Sequence, residues 1–233
     1  QRSTSSTIDD SVTVCVKHTP HESRRAKLGR LLQSVRAHHA GVAILLASEG
    51  EPSVPARRLE RLRVEHVPLA AGAGLSAGRN ALVRAARTPY VALMDDDLEL
   101  LDGSALPALL AALHADGDAV LAGGCYATPG AGAAPDCFNL RFDPSEDGSV
   151  VRARRIPRWA DGGCQRVHLT HNFFVARTAA LRRFGWDPRQ TVMEHETFFY
   201  QLYLNEQPVL ACPAARALHN SSCDGDECSG DAL

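Results

Sequence analysis

The chain reads as an α/β protein built on a mainly parallel, doubly wound sheet, with an irregular C-terminal cap. Two observations predict this. The first is regular alternation of short apolar, β-branched runs with amphipathic runs over residues 11–123. The second is an apolar run, Tyr90 to Met94, bounded by Pro89 and ending in Asp95-Asp96-Asp97 with no lysine or arginine close behind. A carboxylate cluster at the C-terminal edge of a buried strand occupies the place where open α/β sheets bind ligands.

The elements follow in order. Residues 1–10 are polar and rich in Ser and Thr, and are expected to be a flexible leader. Ser11 to Lys17 alternates and gives the first strand. A turn at Pro20-His21 leads to a helix over Ser23 to His39, with an apolar stripe at Leu28, Leu31, Leu32 and Val35, stopped by Gly41. Val42 to Ala47 is the second strand, Pro52 to Leu62 a short helix, and Val64 to Leu69 the third strand. Gly72 and Gly74 mark a loop, and Ser76 is placed to cap a helix running to Ala86. Tyr90 to Leu93 is the fourth strand. Ser104 to His114 is a helix with Pro107 in its first turn, and Ala119 to Gly123 a fifth strand.

Beyond residue 123 the pattern loosens. Pro129 to Pro135 is a loop, and Phe138 to Arg155 a hairpin turning at Glu146-Asp147-Gly148. Thr170 to Val175 is a strand, Arg177 to Phe184 a helix, and Thr191 to Asn205 a helix opening on acidic residues. Pro208 to Cys212 is the last strand, followed by Ala217-Leu218-His219. The expected organisation is a leader (1–10), one domain (11–220) whose second half caps the first, and a tail (221–233).

Composition narrows the function. The 233 residues, 45% hydrophobic and 22% charged, suffice for one large domain with a full core. A net charge of −2 supplies no field that would gather nucleic acid or an anionic membrane. No apolar run approaches transmembrane length. The chain begins at Gln1 rather than Met. This suggests a processed or excised piece, with membrane contact only through a segment outside it. Of seven cysteines, Cys15 lies in a strand pattern and reads as a core thiol, and no pair has CxxC spacing. The other six permit an oxidising lumen.

The Asp triplet carries the chemistry. Three adjacent carboxylates repel one another and are costly to desolvate, and a hard divalent cation relieves both. Asp95 and Asp97, two residues apart, can hold Mn²⁺ or Mg²⁺, which in turn holds a diphosphate. A solvated acidic turn is the bland alternative. A phosphatase Asp-x-Asp normally follows the first strand rather than the fourth, and a nucleotidyltransferase opens with a glycine-rich basic loop that Lys17-His18-Thr19-Pro20 is not.

The ordered set Gly78-Arg79-Asn80, Asp95-Asp96-Asp97, Asn172-Phe173-Phe174-Val175-Ala176-Arg177, Phe184-Gly185-Trp186-Asp187-Pro188, His195-Glu196-Thr197-Phe198-Phe199 and Leu218-His219 resembles the GT-A fold glycosyltransferases. Within them it is most similar to the β-1,4-N-acetylgalactosaminyltransferases that build gangliosides and related glycans. The resemblance spans about residues 11–220, judged from the ordered motifs. It implies a metal-dependent, inverting transferase moving a sugar, N-acetylgalactosamine foremost, from a UDP-sugar to a glycan or glycolipid hydroxyl. It implies a Golgi or secretory-pathway lumen, with the cytoplasm as alternative. A non-catalytic or degenerate sugar-nucleotide-binding domain of the same fold is the alternative function.

The resemblance also distributes roles. Thr19 and Ser48 stand at the sheet end suited to the base, although Ala47-Ser48-Glu49 departs from the aspartates usual in the family at that strand end. Arg79 and Asn80 open toward the same crevice, Arg79 for a phosphate and Asn80 for a hydroxyl or the base. Asp95 and Asp96 join the donor contacts, and Asp95, Asp97 and His219 are the metal ligands, a set that suits Mn²⁺ better than Mg²⁺. Glu196 is the expected general base, with Glu194 its rival and His195 placed to orient either. Trp159 and Trp186 can stack on sugars or pack in the core, and Asp161, Gly162 and Gly163 can reach the donor sugar.

Overall fold

The computed structural model describes residues 4–127, 136–147, 150–156, 163–190 and 192–220. The expected loop Pro129–Pro135, Trp159, Asp161, Gly162, the tail 221–233, and with it Cys223 and Cys228, lie outside these.

The elements are α1 Thr4–Ser11, β1 Val12–His18, α2 Arg25–His38, β2 Ala43–Glu49, α3 Ala56–Arg61, β3 Val64–Leu69, α4 Gly74–Ala85, β4 Tyr90–Asp95, β5 Leu98–Leu100, α5 Ala105–Ala115, β6 Leu121–Ala127, β7 Leu140–Pro144, β8 Val151–Arg155, β9 Gln165–Val167, β10 Phe173–Arg177, α6 Thr178–Phe184, α7 Glu194–Leu204 and β11 Val209–His219. The main sheet runs β3-β2-β1-β4-β10-β6-β11-β5, with β9 on β11. Strands β3, β2, β1 and β4 are parallel neighbours, while β10 is antiparallel to both β4 and β6. The mainly parallel α/β sheet and the β7–β8 hairpin are as expected from sequence.

Strand periodicity sorts the core into two layers. Val12, Val14, Val16, Ala92 and Met94 face one way and pack with Leu28, Leu31, Leu32 and Val35 of α2. Cys15, Val91 and Leu93 face the other way and pack with Leu82 and Val83 of α4 and Phe198, Phe199 and Leu202 of α7. Cys15 is a buried free thiol, as its strand pattern implied. Large aliphatic side chains buried on both faces are the signature of a sheet covered on both sides.

Several expectations are corrected. The segment expected to be a flexible leader carries α1, and Ile8 anchors it with only 1% exposure. Ser11 ends that helix instead of opening β1. The second half is more than a cap, because β10 and β11 enter the main sheet on either side of β6. Local pattern could not reveal this, since β10 and β6 become neighbours only through long connections. Strand β11 runs seven residues past Cys212 through an irregularity between Ala211 and Arg216, and so carries His219 to the sheet's far end. Ser76 does not cap α4. It lies within the helix and donates to the Gln190 carbonyl at 3.3 Å.

Two disulfides lie among the described residues, Cys125–Cys137 and Cys164–Cys212. The first pins the segment after β6 back onto that strand, beside the mutual backbone bonds of Tyr126 and Asp136. Closing a 12-residue separation stabilises mainly by restricting the unfolded chain. Cys137→Ser is therefore expected to cost about 2–3 kcal/mol in urea unfolding under non-reducing conditions. An unchanged midpoint and slope would show that the bridge contributes nothing.

Candidate active site

Position in the sheet separates the three aspartates. Asp95 is the last residue of β4 and shares the Val91–Leu93 face, toward α4 and α7. Asp96 points to the opposite layer. It is 2% exposed, accepts from His18 Nδ1 at 2.6 Å, and pairs with Arg24. His18 is itself held through Nε2 by Ser53 Oγ at 3.0 Å. Asp97 follows in the turn, beside His219, with 3.5 Å between Asp97 Oδ2 and His219 Nε2. The contact is set by register, because His219 pairs with Leu98 across β11–β5 and Asn220 N–H bonds the Asp97 carbonyl.

All three aspartates border a crevice of about 510 Å³ at the C-terminal edge of the sheet. Lys17, Thr19, Arg24, Leu75 and Arg79 form its wall on the β1–α4 side. Tyr126, Phe138, His171, Asn172, Glu194, His195 and His219 form the opposite wall. The crevice thus crosses the sheet from β1 past β4 to β11.

Cations absent from the local sequence are brought in by the fold. Arg79, buried in α4, places Nη2 3.5 Å from Asp95 and Nη1 3.0 Å from Glu194, and its guanidinium lies 5.8 Å from the Trp186 ring centre. Gly78 makes this approach possible: a Cβ there would sit 2.8 Å from Lys17 Cγ. Lys17 bonds Glu49 Oε1 at 3.3 Å and the His18 carbonyl at 3.1 Å.

The neighbouring carboxylates differ in their electrostatics. Desolvation pushes the Asp95 carboxyl up to about 6 against the opposing charge of Arg79, and Asp97 and Asp96 push it further. Asp97 lies below the ordinary carboxylate value. Burial raises it, but the bond and charge of His219, with the charge of Arg24, outweigh that. Among the described residues no group of three or more His, Cys, Asp or Glu side chains is arranged to hold a metal ion by itself. Two hard carboxylate donors and one imidazole around an open crevice suit an ion that completes its coordination with substrate oxygens. Burial, then the charge of Arg79, lowers His195 to about 3, so its imidazole is neutral.

The structure brings together Thr19, Arg79, Asp95, Asp96, Asp97 and His219, with Glu194 and His195. It leaves Ser48, Asn80 and Glu196 out of the crevice lining. Ser48 is fully buried and bonds the Gly50 carbonyl and His66 Nε2 at 2.8 Å each. Glu49, one residue on, faces the loop instead and accepts from Gly72 and Gly74 N–H and from Lys17. Those backbone bonds, led by that of Gly74, hold its carboxyl low against desolvation. Asn80 clamps the Gly185-Trp186 turn: Nδ2 donates to the Trp186 carbonyl at 2.6 Å, and Oδ1 accepts its N–H at 3.0 Å. Gly185 takes φ +52 in that turn.

Glu194 and Glu196 both lie in the first turn of α7. Two residues turn a helix by about 200°, so the two carboxylates leave on opposite sides. Glu194 takes the crevice side. Trp186 is core, 3% exposed and stacked on Phe198 at 4.4 Å. Sequence reasoning missed Arg24, Tyr126, Phe138, His171 and Asn172 as lining residues. Asn172 and His171 could have been found from their place at the start of the strand beside β4.

A sheet edge with paired carboxylates, an imidazole on the last strand and an acidic helix start defines a GT-A glycosyltransferase domain. The Glycosyl transferase family 2 model matches residues 13–135, and the chain belongs to that family. Beta-1,4 N-acetylgalactosaminyltransferase 2 of Mus musculus is 29% identical over 217 residues, covering 91% of this chain and 40% of the relative. Beta-1,4 N-acetylgalactosaminyltransferase 1 of Mus musculus is 30% identical over 190 residues, covering 76% and 33%. The chain thus spans well under half of these relatives. Among solved structures, GalNAc-T7 with UDP, GalNAc and Mn²⁺ superposes with TM-score 0.67 at 14% identity, over 90% of this chain and 43% of that one. S. aureus TarS 1–349 in complex with UDP-GlcNAc gives 0.67 at 14%, over 96% and 62%. These likenesses establish the fold.

Proposed function

We propose that this domain is a metal-dependent, inverting glycosyltransferase that moves N-acetylgalactosamine from its UDP donor to a hydroxyl of a glycan or glycolipid. The observation that carries the reading is the crevice-lining set Asp95, Asp97 and His219 at the end of β4, flanked on one side by Lys17, Thr19 and Arg24 and on the other by Glu194.

Asp95, Asp97 and His219 would hold Mn²⁺, or Mg²⁺ less well. The ion, when bound, supplies charge for the departing diphosphate. Thr19 and Lys17 border the nucleotide side. Arg24, tied to Asp96, adds a second cation toward the phosphates. Arg79 is committed to Asp95 and Glu194, so its expected phosphate role passes to Arg24. A displacement with inversion needs a carboxylate across the anomeric carbon from the leaving group, to take the acceptor proton. Glu194 is the crevice-lining carboxylate on that side of β4, so the base is assigned to it ahead of Glu196.

The N-acetylgalactosamine donor rests on the named activity of the similar mouse transferases. A secretory-pathway lumen is supported by the two disulfides, which persist in oxidising compartments. Among the described residues no helix is long and apolar enough to cross a membrane.

The test is turnover across labelled UDP-N-acetylgalactosamine, UDP-N-acetylglucosamine, UDP-galactose and a GDP-sugar, with Mn²⁺ or EDTA. Fastest release from UDP-N-acetylgalactosamine, abolished by EDTA, is expected. Equal or faster release from the GDP-sugar would sink the donor assignment. Tight Mn²⁺–UDP binding without turnover of any sugar would favour a degenerate binding domain.

A further inference from the structure

We propose that Arg79 and Asn172 are positioning residues that couple occupancy of Asp95 by a cation–diphosphate to the placement of the first turn of α7. The inference rests on the reading of Asp95 as a cation-holding carboxylate.

Two arms run from the end of β4 to consecutive residues of α7. In one, the Arg79 guanidinium, 4% exposed, spans Asp95 at 3.5 Å and Glu194 at 3.0 Å. In the other, Asn172 lines the same crevice one residue ahead of the Phe173–Met94 pair, beside the end of β4, and its Oδ1 meets His195 Nδ1 at 2.8 Å. An amide has one donor end and one acceptor end. The amide oxygen can only accept, so this contact pairs it with a donor on the His195 ring.

Apart from the His195 contacts with Thr170 and the Phe138 ring, the entry to this turn is weakly anchored. The residue ahead of it, Met193, sits at φ 57 and makes no side-chain cap bond. The first amides of a helix lack intrahelical partners, and a capping side chain normally supplies one. Met193 and Val192 are exposed, at 61% and 72%, so no apolar anchor fixes the entry either. The beginning of α7 is thus held from the substrate side, through Arg79 and Asn172, while Phe198 and Phe199 fix the next turn in the core. A cation on Asp95 takes up the charge that Arg79 now shares, leaving the guanidinium to Glu194. Binding at one end therefore redistributes the contacts that orient the other, and the coupling is reciprocal.

Hydrogen exchange of residues 194–199, measured with and without Mn²⁺–UDP, tests this beside calorimetry of Mn²⁺–UDP binding. In the wild type, Mn²⁺–UDP should slow exchange there about fivefold or more. In Arg79→Lys and in Asn172→Ala that response should vanish, and Mn²⁺–UDP affinity should fall by a similar factor. Turnover should drop about 10- to 100-fold, the usual worth of an outer-shell partner. Metal-free exchange in β1 and β4 reports whether each variant is folded, and either variant alone suffices. Wild-type binding with no change over 194–199 overturns the coupling but leaves the metal reading intact. A response retained in a folded variant also overturns it. Failure of the wild type to bind Mn²⁺–UDP removes both.

Discussion

Asp97→Asn is expected to abolish Mn²⁺-dependent UDP binding, lowering affinity by about two orders of magnitude or more while leaving the fold unchanged. The substitution keeps size and shape but removes one of two anionic donors, and hard cations depend on ligand charge. Asp97 is the better choice than Asp95, whose carboxyl also meets Arg79. Its loss would blend ligand removal with rearrangement. It is also better than Asp96, which His18 and Arg24 hold in the opposite layer. Asp96→Asn should cost stability before it costs metal. Calorimetry of UDP with Mn²⁺ and with EDTA checks both, and unchanged Mn²⁺-dependent affinity in Asp97→Asn would count decisively against the metal assignment. The pH dependence has a definite sign. With its carboxyl raised to about 6, Asp95 carries a proton below that pH in the free protein. Cation binding must displace it, so affinity should fall as pH drops through 6 and binding should release protons.

The sheet and its aspartates were legible because local pattern determines them. A short apolar strand between Pro89 and three aspartates has few other readings, and strand alternation put Asp95 on the crevice side. His219 was legible only as an ordered motif. What places it is the length of β11, which runs through an irregularity near Pro213 that no alternation rule extends across. The partners of the carboxylates were illegible for a different reason. Arg24 lies 72 residues from Asp96, and Glu194 lies 115 residues from Arg79. Both pairings depend on which face of a helix meets the sheet edge. Asn80 illustrates the same limit: its type suits a ligand contact, yet the polar groups of the Gly185-Trp186 turn claim its whole amide. At Ser48 and Glu49 the motif named the strand end correctly, but the pleat decides which residue turns inward.

Glu194→Gln should lower turnover by about 10²- to 10⁴-fold, the worth of a positioned base, while Mn²⁺–UDP affinity falls no more than about fivefold, the share of the Arg79 arm. Glu196→Gln should remain within a few-fold of wild type. Sequence alone favoured Glu196, because it follows His195 and precedes the two phenylalanines. Helical phase separates the candidates. Phe198 and Phe199 fix the core-facing side of α7, and one turn before Phe198 is Glu194, at the mouth of the crevice, 3.0 Å from Arg79. Glu196 lies one turn before Tyr200, whose ring packs edge-on against Phe142 of the hairpin at 5.2 Å. Among the described residues Glu196 has no hydrogen-bonded or ionic partner and no place in the crevice lining. Gln at that position keeps the shape of Glu194 without the capacity to accept the acceptor's proton. Product configuration supplies the independent check, since a single base opposite the leaving diphosphate requires inversion. A dead Glu196→Gln beside an active Glu194→Gln would return the role to Glu196, and an α-linked product by NMR from the α-configured donor would rule out the inverting displacement whichever glutamate is essential.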